Sequence, residues 1–396
     1  MKRMILHLIY ILLFCSLLPT QLLGNDSIRL SLLTCGAGQE VYSLYGHTAI
    51  RCENFTRGSD VVYNYGVFDF DAPNFIWRFT LGETDYLLGK SKFSHFAAAY
   101  YYAGREVRQQ VLNLTQEEKE RLVAQLEENY LPANRTYRYN FFYDNCATRP
   151  RDQVERAVSG ELRYADDMTS LNTGNTFRSM LHQYNSSNPW SRFGVDLCLG
   201  VEADKPISRR QMMFVPFCVE EFFSKAEIID NQGNTRPLAG ASEELVTPPS
   251  ILPDGQTFTP LQAALLLLIL TLGCTIYGIR SRRMLWGVDL LLLTAAGLAG
   301  CILAFLALFS QHPAVGQNYL LLVFHPLHLF CLPGVVKRLK RSQRSRYLML
   351  NLIVLTFFIL FWSVIPQRFP LTVLPLTLCL WARSLNNLII TYKRPS

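Results

Sequence analysis

Of the side chains that could act as a nucleophile, Cys146 has the most suggestive surroundings. It follows Asn140-Phe141-Phe142-Tyr143-Asp144-Asn145 and precedes Ala147-Thr148-Arg149-Pro150-Arg151-Asp152. The aromatic stretch reads as a buried segment, Asn145 suits a helix N-cap, and Pro150 is tolerated in a first helical turn. Val154, Ala157 and Val158 carry the helix on until Gly160 stops it. A thiol in a first helical turn meets the positive end of the peptide dipoles. With Arg149 and Arg151 close in sequence, this predicts a lowered pKa and a reactive thiolate. A buried structural cysteine, or half of a disulfide, would look the same at this level.

A thiol nucleophile needs a base. His47 lies in Tyr42-Ser43-Leu44-Tyr45-Gly46-His47-Thr48-Ala49-Ile50-Arg51-Cys52, which alternates as a strand does and ends at a turn around residues 54–59. Pairing it with residues 60–66 as a hairpin puts Asn64 beside Ala49, on the face of His47 and diagonal to it. An imidazole needs a polar group on its second nitrogen to set its tautomer, and Asn64 could supply it, with Asp69 as the alternative. A lone strand histidine is otherwise an ordinary core residue. His95 and His182 read as structural or surface groups. Metal chemistry has little to build on: there is no His-x-x-x-His, no Cys-x-x-Cys and no Gly-rich phosphate loop.

The elements that must position these residues are divided between two environments. The chain has 396 residues, 49% hydrophobic and only 17% charged, with a mean hydropathy of +0.12. That composition argues against an ordinary cytosolic enzyme and against disorder. The net charge of +7 suggests nucleic acid until the basic residues are located. Eleven of the 38 Lys and Arg flank long apolar runs, at Arg280–Arg283, Lys337–Arg346 and Lys393–Arg394, where they set membrane topology. No nucleic-acid partner is expected.

Residues 1–24 read as a signal peptide: Lys2 and Arg3, then an apolar stretch, then a cleavage site after Gly24. Five apolar spans follow in the last third, at about 261–279, 285–309, 318–336, 347–365 and 370–390, each near the length that crosses a bilayer. Their connections alternate between basic and non-basic, which places the soluble region outside and the C-terminus in the cytoplasm. The expected organisation is an exported α+β catalytic domain over 25–225, a hairpin and linker over 226–258, and an all-α transmembrane domain over 259–396. Thr115-Gln116-Glu117-Glu118 is a capping box that opens a helix running to Tyr130. The exported region holds five cysteines, Cys35, Cys52, Cys146, Cys198 and Cys218, an odd number that leaves a free thiol. If it is Cys146, two disulfides are available to the rest, with Cys198–Cys218 favoured for its short loop. All four could equally be reduced and buried.

The order of a histidine, a polar residue on the next strand, and Asn-Cys at a helix start resembles the circularly permuted NlpC-type, papain-like thiol fold of lecithin:retinol acyltransferase. More closely, Tyr45-Gly46-His47-Thr48-Ala49-Ile50-Arg51, Val62-Tyr63-Asn64-Tyr65-Gly66-Val67-Phe68-Asp69-Phe70 and Tyr143-Asp144-Asn145-Cys146-Ala147-Thr148-Arg149 resemble the Lnb-type bacterial lipoprotein N-acyltransferases. Leu199-Gly200, Asp204 and Met213-Phe214-Val215-Pro216 fit the distal part of that family's soluble domain. Ser310-Gln311-His312-Pro313, Asn318 and Pro326 fit its five-helix membrane part.

The resemblance implies a bacterial inner-membrane enzyme with its catalytic domain in the periplasm and no cofactor or metal. It would move an acyl chain from a phospholipid, through a Cys146 thioester, to the α-amine of the diacylglyceryl-cysteine that begins a lipoprotein. Membrane phospholipid and diacylated lipoproteins would be its partners. His47 would be the base and helix N-terminal amides the oxyanion donors; the orienting group is not fixed by the resemblance and stays Asn64, from the hairpin register, or Asp69. Arg149, beside Cys146 in sequence, and His312, on the exported side between the second and third spans, are the expected substrate contacts. Two other classes fit the same residues less fully. A membrane-anchored Cys/His peptidase or amidase on cell-wall peptides needs one anchor, not five spans. A non-catalytic envelope assembly protein would not need Cys146.

Overall fold

The computed structural model describes residues 28–68, 71, 73–249 and 258–392. The expected signal peptide and Asp69 lie outside the described residues.

The soluble region is built on an antiparallel seven-stranded sheet. Its strands are β1 (Ile28–Cys35), β2 (His47–Asn54), β3 (Ser59–Val67), β4 (Asp85–Lys92), β5 (Val107–Val111), β6 (Thr136–Arg138) and β10 (Glu243–Val246), in the order β10-β5-β1-β2-β3-β4-β6. β1 is central and apolar on both faces. Leu30 and Leu32 enter the main core, while Leu33 and Cys35 enter a smaller core on the other face. That smaller face is covered by α2 (Phe93–Tyr102) through Phe96. The larger face takes Leu122 and Leu126 of α3 (Gln116–Tyr130) and Val154 and Ala157 of α4 (Thr148–Ala157). α3 opens at Thr115, whose hydroxyl accepts from the Glu118 amide while the Glu118 carboxylate accepts from the Thr115 amide, as the sequence predicts.

After α4 come β7 (Glu161–Arg163), α5 (Phe177–Tyr184), α6 (Pro189–Cys198) and α7 (Pro216–Lys225). The hairpin of β8 (Glu227–Ile229) and β9 (Thr235–Pro237) turns at residues 230–234 and pairs with β7. The segment read as linker is therefore shorter than its composition suggests. β10, which lies within it, joins the main sheet beside β5.

The C-terminal region is helical. Three helices, α8 (Pro260–Ser281), α9 (Trp286–Phe309) and α12 (Val373–Tyr392), are long and apolar enough to cross a membrane. So is Tyr319–Lys340, which contains α10 (Leu327–Lys340). α11 (Arg346–Leu360) is a shorter apolar helix of 15 residues. α12 is the most enclosed of these. Its Arg383 donates to both carboxylate oxygens of Asp289 in α9, at 2.9 and 2.6 Å, and to Thr275 of α8 at 3.3 Å. A buried charge without such a partner would be excluded from this environment.

The two regions are joined by backbone-level contacts. The Gly200 amide donates to Ala314 O (2.7 Å), Asn318 Nδ2 to Leu197 O (2.7 Å), and Gln367 Nε2 to Leu199 O (3.0 Å). A Cβ on Gly200 would sit 1.9 Å from Gly316 O, so only glycine allows this approach. Asp204 accepts from the Arg368 amide at 2.9 Å and is itself held by Arg178. The strings around Leu199–Asp204 and Ser310–Asn318, far apart in sequence, are two sides of one interface.

Candidate active site

β2 and β3 pair from Asn54↔Ser59 to Ile50↔Tyr63 and then part. Beyond that point β3 bulges against β4 between Tyr65 and Val67, with Gly66 at φ +93°. The helix start that carries Cys146 comes up against this opening. A Cβ built on Gly66 would lie 3.3 Å from Cys146 Cβ and 3.9 Å from His47 Cε1. Cys146 and His47, 99 residues apart in sequence, therefore share one recess.

Local chemistry explains the placement of Cys146. Asn145 Oδ1 accepts from the amides of Ala147 (2.8 Å) and Thr148 (2.9 Å), and Asn145 Nδ2 donates to Phe141 O (2.7 Å) and Phe214 O (2.9 Å). The side chain thus caps the turn that leads into α4, two residues ahead of the helix's own N-cap Ala147, and ties it to the aromatic core. Because the cap takes up the amides of residues 147 and 148, the helix start has one amide left to face the site, that of Cys146. This narrows the expected set of oxyanion donors. The amides of Thr48 and Cys146 and the hydroxyl of Tyr139 lie near enough to the thiol to favour its ionised form.

His47 Nε2 lies 2.5 Å from Asn64 Oδ1. The amide oxygen can only accept, so Nε2 carries the proton and Nδ1 keeps the lone pair. The imidazole stacks with Tyr100 of α2 at 6.5 Å, and Cys35 lies opposite His47 in the β1–β2 ladder.

The electrostatics differ from the sequence expectation. Burial pushes the Cys146 thiol up to about 11, ahead of the lowering effect of its hydrogen bonds. Burial also lowers His47 to about 4, against the raising effect of Asn64. Arg149 and Arg151 do not reverse this. Arg149 is a bidentate partner of Asp144 (2.6 and 2.7 Å) and lies 3.6 Å over the Tyr137 ring, while Arg151 donates to Asp152 at 2.8 Å. At neutral pH the resting pair is a thiol and a neutral imidazole, not a thiolate.

The two expected substrate contacts are both occupied within the protein. Arg149, as above, is neutralised by Asp144 and braces the loop before Cys146. His312 donates from Nε2 to Phe79 O at 2.5 Å and meets the Phe79 ring edge-on. His182 bonds Asp196 at 2.8 Å and accepts from Arg192, in the interface between regions. All five cysteines of the soluble region are free thiols. Cys35 pairs with His47 and Cys52 with Leu30 along one ladder, five positions apart, or roughly 17 Å. No disulfide can close that gap. The odd-thiol argument for Cys146 thus carries no weight, and its position must stand on geometry.

Three parts of the recess were not singled out from the sequence: Tyr139, the Thr48 amide and Gly66. Each is set by how strands and loops meet, although Tyr137-Arg138-Tyr139 alternates in a way that marks Tyr139 as facing inward with Tyr137. Among the described residues, no three His, Cys, Asp or Glu side chains come close enough to hold a metal.

Two family models match the chain: the Lnb N-terminal periplasmic domain over residues 19–183 and the Lnb transmembrane domain over residues 253–395. The chain belongs to the Lnb family. It is a membrane protein with a periplasmic domain and several transmembrane helices. The first Lnb match contains His47, Asn64, Tyr139 and Cys146, and the second contains the loop that bears His312. No curated protein and no solved structure matches the chain.

Proposed function

We propose that this Lnb-family chain is a lipoprotein N-acyltransferase of the bacterial inner membrane, with a papain-like thiol domain on five transmembrane helices. The fifth crossing is assigned to α11. Its 15 residues rise about 22 Å, so the turns that follow it would complete the roughly 30 Å of hydrocarbon. The C-terminus then lies in the cytoplasm, consistent with the basic loops.

The single observation that carries the reading is the convergence of Cys146 with a histidine whose tautomer Asn64 sets. As the neutral thiol attacks the donor ester, its proton passes to His47 Nδ1. A new S–C bond forms, and the developing oxyanion is met by the Cys146 amide, the Thr48 amide and the Tyr139 hydroxyl. The ester C–O bond breaks, and His47 returns the proton to the departing lysophospholipid oxygen. In the second half, the lipoprotein α-amine attacks the thioester, the C–S bond breaks, and the amine proton passes through His47 to the Cys146 sulfur. Burial suits this scheme: a thioester kept from water waits for an amine instead of hydrolysing.

Mass spectrometry of lipoprotein N-terminal peptides tests the reading. Cells that depend on this chain should carry triacylated termini, and cells with Cys146→Ala should carry diacylated termini with a free amine. Triacylated termini in the Cys146→Ala strain would refute it.

A further inference from the structure

A row of aromatic rings leads from the nucleophile to the transmembrane helices. Tyr139, whose ring shares with Cys146 the space beside Gly66, stacks on Tyr86 at 4.2 Å, and Tyr86 stacks on Phe68 at 4.9 Å. Phe68 stacks at 5.9 Å on Phe75, the first residue of α1 (Phe75–Leu81), and Phe75 stacks on Phe79 at 6.1 Å. α1 buries none of its residues: Ile76 is 81% exposed, Trp77 58% and Phe79 47%.

This short helix is fastened to the membrane region. Trp77 lies 5.2 Å from Phe305 of α9. The Gln311 amide donates to Leu81 O at 2.8 Å, and His312 donates to Phe79 O. A Cβ on Gly82 would sit 2.7 Å from His312 N, so the two backbones are in contact. Three large apolar side chains on one seven-residue helix, held at the end of a transmembrane segment, do not suit water. Trp at that level suits a bilayer boundary.

We propose that α1 is immersed in the periplasmic leaflet, and that the row Phe79–Phe75–Phe68–Tyr86–Tyr139 is the path along which a phospholipid acyl chain brings its ester to Cys146. The proposal rests on the acyltransferase reading and identifies the donor's source as the bilayer itself. Because the rings stack face on face, it is their edges that give the chain continuous apolar contact, with no hydrogen bonds to hold it, so it can slide until the ester meets the polar end of the row.

The test follows acylation of Cys146 by intact mass in the full-length protein, using two donors. One is phosphatidylethanolamine in vesicles; the other is dihexanoylphosphatidylcholine, dispersed as monomers. Ile76→Glu and, separately, Ile76→Asp place a charge on the most exposed position of α1, away from its contact with α9, and should leave the fold intact. Each should slow acylation from vesicles about tenfold or more, the scale of one lost apolar burial, and leave the monomeric donor's rate unchanged. Vesicle rates at the wild-type level in both variants would overturn the path alone. Equal loss with both donors would also overturn it, by showing that α1 acts on the site and not on the membrane. A wild-type protein acylated by neither donor would instead refute the acyltransferase reading.

Discussion

Replacing Gly66 with Ala tests the recess most directly. Gly66 has φ +93°, and an added methyl would meet Cys146 Cβ at 3.3 Å, Tyr139 Cε2 at 3.8 Å and His47 Cε1 at 3.9 Å. Two effects follow, and Gly58 separates them. Gly58 also has positive φ, at +57°, but nothing lies within 4 Å of its added Cβ. Backbone strain alone costs about 1–2 kcal/mol in either variant, which lowers Tm by roughly 2–4 °C per kcal/mol in a domain of this size. Only Gly66→Ala also presses on Cys146. A contact of 3.3 Å requires its neighbour to move by a few tenths of an ångström. Since about 1 Å of misplacement costs on the order of 10²-fold, a shift of a third to a half of that costs roughly four- to tenfold. The assay is the rate of Cys146 acylation from a monomeric short-chain phospholipid, with melting followed in detergent. Gly58→Ala should lose stability and keep its rate, while Gly66→Ala should lose both. A Gly66→Ala enzyme that acylates at the wild-type rate would refute the assignment of this recess as the reaction centre.

Three further predictions follow from the same geometry. With His47 lowered to about 4 and Cys146 raised to about 11, both are neutral across the range between. The rate of acyl-enzyme formation should therefore be flat from about pH 5 to about pH 9 and fall only as His47 gains its proton in stronger acid; an inflection near neutrality would instead reveal a preformed thiolate–imidazolium pair. Asn64→Ala should lower kcat about 10- to 100-fold with little change in KM, because the imidazole loses its tautomer and aim, whereas Asn64→Asp should raise the His47 pKa and move the acid limb of the pH profile toward neutrality; an unchanged kcat in Asn64→Ala would remove Asn64 from the site. In the membrane region, Arg383→Leu leaves Asp289 buried without its partner and should cost about 3–5 kcal/mol, read as a lowered melting temperature in detergent, and adding Asp289→Leu should recover most of it; a single variant that melts like the wild type would show that the pair carries no stability.

What the sequence determined by itself is local or compositional. The capping box at Thr115 and the Asn145 cap on the turn that leads into α4 depend on residues within a few positions of one another. The strand from His47 to Asn54 and its hairpin partner follow from period-two alternation, although residues 42–45, which alternate in the same way, form a turn before Gly46 at φ +78°. The division into a soluble and a membrane region follows from apolar length and from where the charges fall. Tertiary structure decided what depends on distant approach. The Cys146 pKa is set by the density of protein around the thiol, and this outweighs the helix-start charge that sequence position predicts. Arg149 is adjacent to the site in sequence but spent on Asp144, a partner that only the folded loop presents. Cys35 and Cys52 flank one strand but stand far apart along it, because a β-ladder extends what sequence keeps close. Tyr139 and Gly66 join Cys146 only because β3 bulges where β2 leaves it, and the rings that lead to α9 touch only after α1 docks on residues 311 and 312. Short-range hydrogen bonding and periodicity are encoded in neighbouring residues. Desolvation, ion pairing and the convergence of remote side chains are properties of the packed chain.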